Sequence, residues 1–357
     1  MRSIRLSGIF ALLAVLLLSS QCKEKETVTE DNFKKGELLA QTADRYILPS
    51  YQSLVTSLDI LEQSWTKFEQ TRSDLDFEQA RNNWKDAYLD FQKVYMFDFG
   101  PAYHHAFVIN SGTFPSDTSQ IEQNIQAGNY DLGAAENYAA IGFAVLDYLL
   151  FDTGSLQAMK DNQLRRSYAK DIIQKLRQEA LSVSTDWSTY RDEFVAGTGT
   201  SSTSPFSEFV NAYCKNYELA KNAKLGIPIG MQSLGIQRPE YLEARNAKFG
   251  RELLLQNLKT LKTIFLGDDL NGNTGVGFDD YLTALEKSSL SQQIVQAFDE
   301  MILEVENLGG DLEIIMTQEP EKLESLYAKM QAQVVRLKTD MSAAFGILIT
   351  YQDNDGD

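Results

Sequence analysis

Residues 75–98 read LDFEQARNNWKDAYLDFQKVYMFD, and the spacing of large side chains in this stretch decides the fold class. These side chains recur every three or four residues, which places them on one face of an α-helix. They are Phe77, Arg81, Trp84, Tyr88, Phe91 and Tyr95. Residues 246–266 and 319–350 repeat the pattern, and no convincing run of alternating β-branched residues appears. The sequence therefore predicts an all-α protein.

Helix-breaking residues divide this helical pattern into elements. Pro49 and Gly100-Pro101 are expected to interrupt the first helices, and GTGTSSTSP at 197–205 is the most linker-like interior stretch. Two packed helical bundles, at about 32–200 and 205–350, with a cleft between them, fit this layout. Residues 351–357 are expected to be a tail. Further helices are expected over about 33–48, 51–70, 135–151, 156–185, 206–225 and 278–306.

The composition excludes several classes of protein. The 357 residues include 33 basic and 50 acidic side chains, with a formal net charge of −17. This balance argues against nucleic acid as a partner, because phosphate backbones demand clustered Lys and Arg. The chain has two cysteines and two histidines, Cys22, Cys214, His104 and His105. They can assemble neither a Cys/His zinc site at normal ligand spacing nor a disulfide framework.

The first residues are typical of a bacterial export signal. Two arginines precede an apolar run of about ten residues, 9–18, which is too short to span a bilayer. Cys22 at its end resembles the lipidated cysteine of a bacterial lipoprotein. We therefore expect a signal peptide at 1–21, lipidation at Cys22, a tether at 22–31 and anchoring to the outer membrane of a Gram-negative bacterium, on its periplasmic or outer face. The alternative is an ordinary cleaved signal with an incidental cysteine.

One carboxylate lies inside an unusually apolar stretch. Residues 137–152 read NYAAIGFAVLDYLLFD, with Asp147 among aliphatic and aromatic side chains. Burial of a carboxylate in such a helix is costly without a partner. The alternative interpretation places Asp147 at the polar edge of the helix.

Four stretches of the chain together resemble the imelysin family. GFAVLDYLLF at 142–151 resembles the GxHxxE region of that family, and WKDAYLDFQKVYMFDFGP at 84–101 is similar to its tryptophan helix. PFSEFVNAYCKNYELAKNAKLGIPIG at 205–230 and PEYLEAR at 239–245 resemble its later segments. The resemblance covers about residues 35–350 and implies a fold of two helical bundles with a site between them.

A departure from the family motif determines the expected activity. Where the family has His and Glu, this chain has Ala144 and Asp147. A peptidase zinc needs about three protein ligands, and imidazole is a favoured one. The resemblance thus implies the branch that lacks the complete motif and is linked to bacterial iron uptake. We expect a lipid-anchored, envelope-exposed protein that binds iron, haem or another small ligand and lacks peptidase activity; the alternatives are a metallopeptidase and a surface scaffold for an outer-membrane protein.

The candidate ligand and cleft residues come from the motif and from polar groups near it. Asp147 is the candidate metal ligand, with iron as the candidate metal, and we expect it to meet Glu243 or Arg245. For Trp84 and Tyr88 the alternative is an ordinary core position, and for Asn211 and Lys215 it is a solvated helix face. The full set is Trp84, Tyr88, Gly142, Ala144, Asp147, Asn211, Lys215, Glu243 and Arg245.

Overall fold

The computed structural model describes residues 33–351; the regular secondary structure of these residues is helical, without a β-strand. The expectation of an all-α protein is confirmed. Within this range, three π-helical segments, Thr42–Ile47, Ala220–Gly226 and Val335–Met341, continue the α-helices that precede them. The α-helices are α1 (Lys35–Gln41), α2 (Leu48–Thr71), α3 (Asp74–Val94), α4 (Gly100–His104), α5 (Phe107–Gly112), α6 (Thr118–Ala127), α7 (Phe143–Phe151), α8 (Ser155–Asp161), α9 (Gln163–Ala196), α10 (Pro205–Leu219), α11 (Gly250–Phe265), α12 (Phe278–Ala284), α13 (Ser288–Asn307), α14 (Leu312–Gln318), α15 (Pro320–Val334) and α16 (Ser342–Ala344).

Helices α2, α3 and α9 form the core of the N-terminal half. A tight turn joins α2 to α3, because Arg72 takes the left-handed conformation, with a φ of 55°. Ser73 then caps α3 by accepting a hydrogen bond from the backbone N–H of Asp76. Helix α9 packs along α2. The apolar stripe predicted on α3 is buried, as shown by Phe77, Trp84, Tyr88 and Phe91.

The C-terminal half is a second group of helices that packs against the first. Helix α13 contacts α11, α12 and α15, and α11 also packs on α3 of the N-terminal half. The ring of Phe278 lies 4.9 Å from Phe209 and 5.5 Å from Phe345, between ring centroids. A non-helical loop at 197–204 connects α9 to α10. A domain boundary near residue 200 stays a prediction, since helices of both halves contact each other.

Pro49 does not interrupt the helix as expected. It is the second residue of α2, and helical structure runs through it from α1. A proline inside an α-helix normally clashes with the carbonyl four residues earlier. Here the π-helical segment Thr42–Ile47 lies just before α2, and its wider turn moves that carbonyl away.

The helix expected over 135–151 begins only at Phe143. Gly142 has a φ of 91°, and a Cβ at this position would lie 2.6 Å from the backbone oxygen of Ser111 and 2.7 Å from that of Asn110. The close approach and the positive φ both require glycine. The chain therefore turns sharply into α7, and Ala144 and Asp147 lie in the first turns of a short helix.

Other expected helices are divided or shortened. The one over 156–185 is split by Asn162, whose side chain caps α9 by accepting from the backbone N–H of Arg165 at 3.1 Å. The one over 278–306 is split into α12 and α13, with Glu286 in the left-handed conformation between them. The helical pattern of 319–350 ends at Ala344.

Several predictions fall outside the described residues. These are the signal peptide at 1–21, lipidation of Cys22, the tether at 22–31 and most of the tail at 351–357. Among residues 33–351, the structure has no helix with both the length and the apolarity needed to cross a membrane.

We expect Gly142→Ala to destabilise the protein by about 2–4 kcal/mol, because the new Cβ meets two backbone oxygens and the backbone is strained. The free energy of unfolding in urea measures the effect. Gly154→Ala is the matched control, since Gly154 has a φ of 79° and a Cβ added there would meet nothing within 4 Å. Equal losses for both variants would contradict the steric part of the explanation.

Candidate functional site

Asp147 fastens α7 to the C-terminal half. Its side chain is buried, and its Oδ1 accepts a hydrogen bond from the backbone N–H of Ala247 at 2.8 Å. Its Oδ2 accepts from the backbone N–H of Asn246 at 3.1 Å and from Nδ2 of the same residue at 2.9 Å. Both carboxylate oxygens are therefore occupied by N–H donors.

The environment of Asp147 changes its acidity in two opposing ways. Burial raises the pKa of Asp147 to about 6, and the charge of Asp152 adds to the rise. The three N–H donors lower the pKa, because they stabilise the charged form. At neutral pH the carboxyl is thus ionised inside the protein, in the form that accepts all three hydrogen bonds.

The turn that holds Asp147 has a strained backbone. Ala244 and Lys248 have φ values of 49° and 55°, in the left-handed region that residues other than glycine rarely adopt. A Cβ on Gly250, just after the turn, would lie 2.6 Å from the backbone oxygen of Glu243. Such strain persists only where surrounding contacts impose it. Here Asp147 holds the end of the turn and Glu243 holds its beginning.

Glu243 lies behind this turn in a buried polar network. Its Oε2 accepts a hydrogen bond from Nζ of Lys224, and its Oε1 accepts from the hydroxyl of Tyr88 at 2.8 Å and from Nε2 of Gln92 at 3.3 Å. Burial and the charge of Glu243 raise the pKa of Tyr88 well above its usual value, so the phenol remains a donor. Burial lowers the pKa of Lys224, and the charge of Glu243 opposes that change.

A π-helical turn brings Lys224 to this network. Lys224 lies in Ala220–Gly226, and π-helical insertions are frequent at functional sites. Its Nζ also lies 5.2 Å from the ring centroid of Tyr95 and 5.7 Å from that of Phe114. Because Phe114 lines the cavity beside Asp147, Lys224 supports one wall of that cavity from behind.

Trp84 and Gly142 shape the site from within the core. Trp84 is fully buried, and its Nε1 donates to the backbone oxygen of Phe143 at 3.3 Å. The ring of Tyr88 stacks on that of Phe143, with 4.5 Å between centroids. Gly142 permits the turn that leads into α7. Trp84, Tyr88 and Gly142, which were all predicted from the sequence, therefore position α7.

A cavity of about 480 Å³ lies over Asp147. Its walls are α7, the segment 114–118 and the segment 240–246. Ala144 and Asp147 line it together, as does Arg245 from the C-terminal half. The structure thus brings together Ala144, Asp147 and Arg245, whereas Glu243 points away into the buried network.

The rim of this cavity carries exposed charges. Asp152 and Glu240 line it with carboxylates, and Tyr148 and Tyr241 add aromatic rings and hydroxyls. Arg245 forms a bidentate ion pair with Glu313 of α14, in which both N–H···O distances are 2.8 Å. Glu240 is paired with Arg238 at 3.3 Å, and Arg245 is paired with Glu313. Asp152 is therefore the rim carboxylate without an ion-pair partner among the described residues.

Asn211 and Lys215 lie away from Asp147. They line a different cavity, beside α4 and α9. Lys215 pairs with Asp98 at 2.9 Å, and Oδ1 of Asn211 accepts from the backbone N–H of Thr350 at 2.8 Å. Two predicted site residues therefore belong to a separate region of the surface.

The residues beside Asp147 do not fit a catalytic zinc ion. Among residues 33–351, no three His, Cys, Asp or Glu side chains are placed to hold a metal ion together. Ala144 supplies no ligand atom, and the oxygens of Asp147 already accept three hydrogen bonds. His105 pairs with Asp186 at 2.7 Å, outside the cavity. A zinc ion needs about three protein ligands and an open position, which this arrangement does not offer.

Three residues that build the site were not predicted from the sequence. Asn246 and Ala247 both bind Asp147 through backbone N–H groups, which leave no side-chain pattern, and Asn246 adds its side-chain Nδ2. For Lys224 the sequence offers one weak indication of burial, because this lysine lies next to the apolar residues Leu225, Ile227 and Ile229.

We expect the contribution of Asp147 to the stability of the protein to fall as pH rises from about 4 to about 6. The folded pKa of Asp147 is raised to about 6 from 3.8, so the folded state binds the proton more tightly and this contribution is lost through that window. A shift of about two units corresponds to roughly 3 kcal/mol. Urea unfolding at pH 4, 5, 6 and 7 checks it.

Asp147→Asn should lose this part of the pH dependence, whereas Glu240→Gln should keep it, because Glu240 lines the same cavity and is not among the charges that raise the pKa of Asp147. A pH profile that is identical in the wild type and Asp147→Asn would show that Asp147 does not titrate in this range.

We expect Lys224→Met to destabilise the protein by about 3–5 kcal/mol, because it leaves Glu243 buried without its cation. The double variant Lys224→Met/Glu243→Gln should lose less than the sum of the single variants. Lys215→Met removes a half-exposed lysine from an ion pair and should cost about 1 kcal/mol or less. Unfolding free energies in urea provide the comparison, and additive losses would argue against a coupled buried pair.

Comparison with known proteins points to one family. The family model described as Imelysin matches residues 47–340. An imelysin-like protein from Psychrobacter arcticum 273-4 has a similar solved structure, with a TM-score of 0.74 and 16% identity over 89% of this chain and 97% of that one. A putative iron-regulated protein A precursor from Parabacteroides distasonis ATCC 8503 has a TM-score of 0.73 and 15% identity over 87% of this chain and 95% of that one. No curated protein matches the chain.

The family match covers most of the chain and includes every element of the site: α3, α7, the π-helical segment with Lys224, and the turn at 243–247. The two structural similarities are low in sequence identity and support the fold alone. The chain belongs to the imelysin family.

Proposed function

We propose that this chain is a binding protein of the bacterial envelope that acts in iron or haem acquisition and takes its ligand in the cavity over Asp147, without peptidase activity. Family membership and the likeness in fold to a protein named a putative iron-regulated protein A precursor support the iron-related role. Attachment to the outer membrane through a lipid on Cys22, and an outer-membrane protein as partner, complete the proposal.

The use of Asp147 as a structural fastener carries the non-peptidase part of the proposal. Both oxygens of Asp147 accept N–H donors from the turn at 246–247. A carboxylate in this role holds two parts of the protein together and has little capacity left for a metal. Ala144 replaces the imidazole expected from the family motif and leaves space in the cavity.

The chemistry of the cavity is compatible with both iron and haem. Carboxylate and phenol oxygens at the rim, from Asp152, Glu240 and Tyr241, are hard donors of the kind that suit Fe³⁺. Because no three acidic, imidazole or thiol side chains of residues 33–351 are placed to hold a bare ion together, the ferric ion would enter as a chelate that supplies its other ligands. The walls also carry the apolar side chains Phe114 and Leu242, against which a macrocycle could pack. Titration with each ligand separates the two.

Calorimetric titration of residues 22–357 with ferric citrate and with haemin tests the proposal. We expect saturable binding of one of them. Ala144→Phe fills the cavity and should abolish haemin binding. Asp152→Asn/Glu240→Gln removes two rim charges and should weaken ferric iron binding about tenfold or more.

Ala328→Phe is the matched control, because Ala328 is an exposed alanine of α15. It should bind like the wild type. Absence of saturable binding of either ligand, or equal binding by all variants, would contradict a ligand site at this cavity and favour a scaffold for an envelope protein.

Incubation with zinc and casein tests the absence of peptidase activity. We expect no cleavage above a zinc-only blank. Chelator-sensitive cleavage that Asp147→Ala abolishes would establish a metallopeptidase instead.

A further inference from the structure

A second cavity, of about 430 Å³, lies where α4, the C-terminal end of α9 and α10 meet. It shares no lining residue with the cavity over Asp147. Asn211 and Lys215, which the sequence pattern grouped with the first site, belong here. The second cavity is therefore a separate space from the one proposed above to take the ligand.

Two carboxylates in this cavity have no ion-pair partner among the described residues. Of its three acidic residues, Asp98 is paired with Lys215 at 2.9 Å. Within the described part of the chain, Glu193 and Glu208 form no ion pair and no side-chain hydrogen bond. Burial raises the pKa of Glu208, and the nearby charge of Glu193 raises it further, while His104 opposes the change. Two like charges thus face one partly enclosed space.

Aromatic rings lie among these carboxylates. Tyr103 and Tyr190 line the cavity with Glu193 and Glu208. Tyr190 is fixed against α4, since a Cβ on Gly100 would lie only 2.7 Å from its ring. Tyr190, Glu193 and Glu208 line the same space, and burial and the charges of Glu208 and Glu193 raise the pKa of Tyr190 to about 12, so its phenol stays neutral. The cavity therefore combines negative charge with ring faces that attract cations.

We propose that this cavity binds an organic cation, an alkylammonium or guanidinium group attached to an aliphatic chain. Carboxylates of Glu193 and Glu208 accept the N–H groups of the cation, and Tyr103 and Tyr190 contact its carbon chain and its charge. An anion would meet an excess of negative charge. A bare metal ion is disfavoured because no three ligand side chains of residues 33–351 are placed to hold one together.

Calorimetric titration of residues 22–357 with spermidine and with agmatine tests this inference, with 1,4-butanediol as an uncharged probe. We expect saturable binding of at least one cation at one site per chain, and none of the diol. Glu208→Gln should weaken binding about tenfold or more, since it removes one charge-assisted hydrogen bond.

Glu324→Gln is the matched control, because it removes the same charge from an exposed position on α15, which does not line the cavity. Its affinity should equal that of the wild type. Tyr190→Phe keeps the ring and should retain binding, whereas Tyr190→Leu should weaken it.

Three outcomes would overturn the inference. They are absence of saturable cation binding, equal affinity in the wild type and Glu208→Gln, and equal weakening by Glu208→Gln and Glu324→Gln. The last would identify a non-specific effect of the acidic surface. Ferric citrate and haemin titrations of Glu208→Gln should match the wild type, which keeps this result separate from the test of the first cavity.

Discussion

The arrangement of the site depends on one buried carboxylate that accepts two backbone N–H groups and one side-chain amide N–H. Asp147 enters the interior on an apolar helix and is stabilised there because the turn at 246–247 offers three donors. Burial of the charge is costly alone, so the helix and the turn hold each other in place. Glu243, three residues before Asn246, is also a buried carboxylate that the protein stabilises with donors, here Lys224 and Tyr88. Two buried acids thus fix both ends of one strained turn, and this turn forms a wall of the cavity.

The hydrogen bonds of Asp147 and the cavity beside it are compatible with each other. Asp147 lies near Ala144 on α7, and its two oxygens accept donors from Asn246 and Ala247. The walls of the cavity come from α7, the segment 114–118 and the segment 240–246, so the space remains although the carboxylate is occupied. The second cavity shows that this fold can support more than one polar recess.

The sequence predicted the helices well where packing is periodic and less well where a single residue controls the backbone. The stripe on α3 follows from its spacing, because side chains three and four residues apart share a face. The start of α7 was misplaced, since the space needed at Gly142 depends on backbone oxygens of residues 110 and 111, which are distant in sequence. Asp147 could be singled out as an isolated charge, but two of its three donors are the backbone N–H groups of Asn246 and Ala247, which no side-chain pattern reveals. Asn211 and Lys215 were grouped with it because periodicity does not reveal which neighbour covers a face.

The π-helical segment Ala220–Gly226 has a consequence for the evolution of the site. A π turn contains one residue more than the α turn it replaces, so it resets the rotational phase of everything that follows it. Removal of that residue would restore an uninterrupted α-helix and rotate the downstream side chains by about 100° around the axis. Lys224 would then face away from Glu243, which would be left buried with its charge unbalanced. Glu243 therefore requires the π-helical turn, because only this turn directs Lys224 towards it. Insertions and deletions in this segment should be rare among functional relatives.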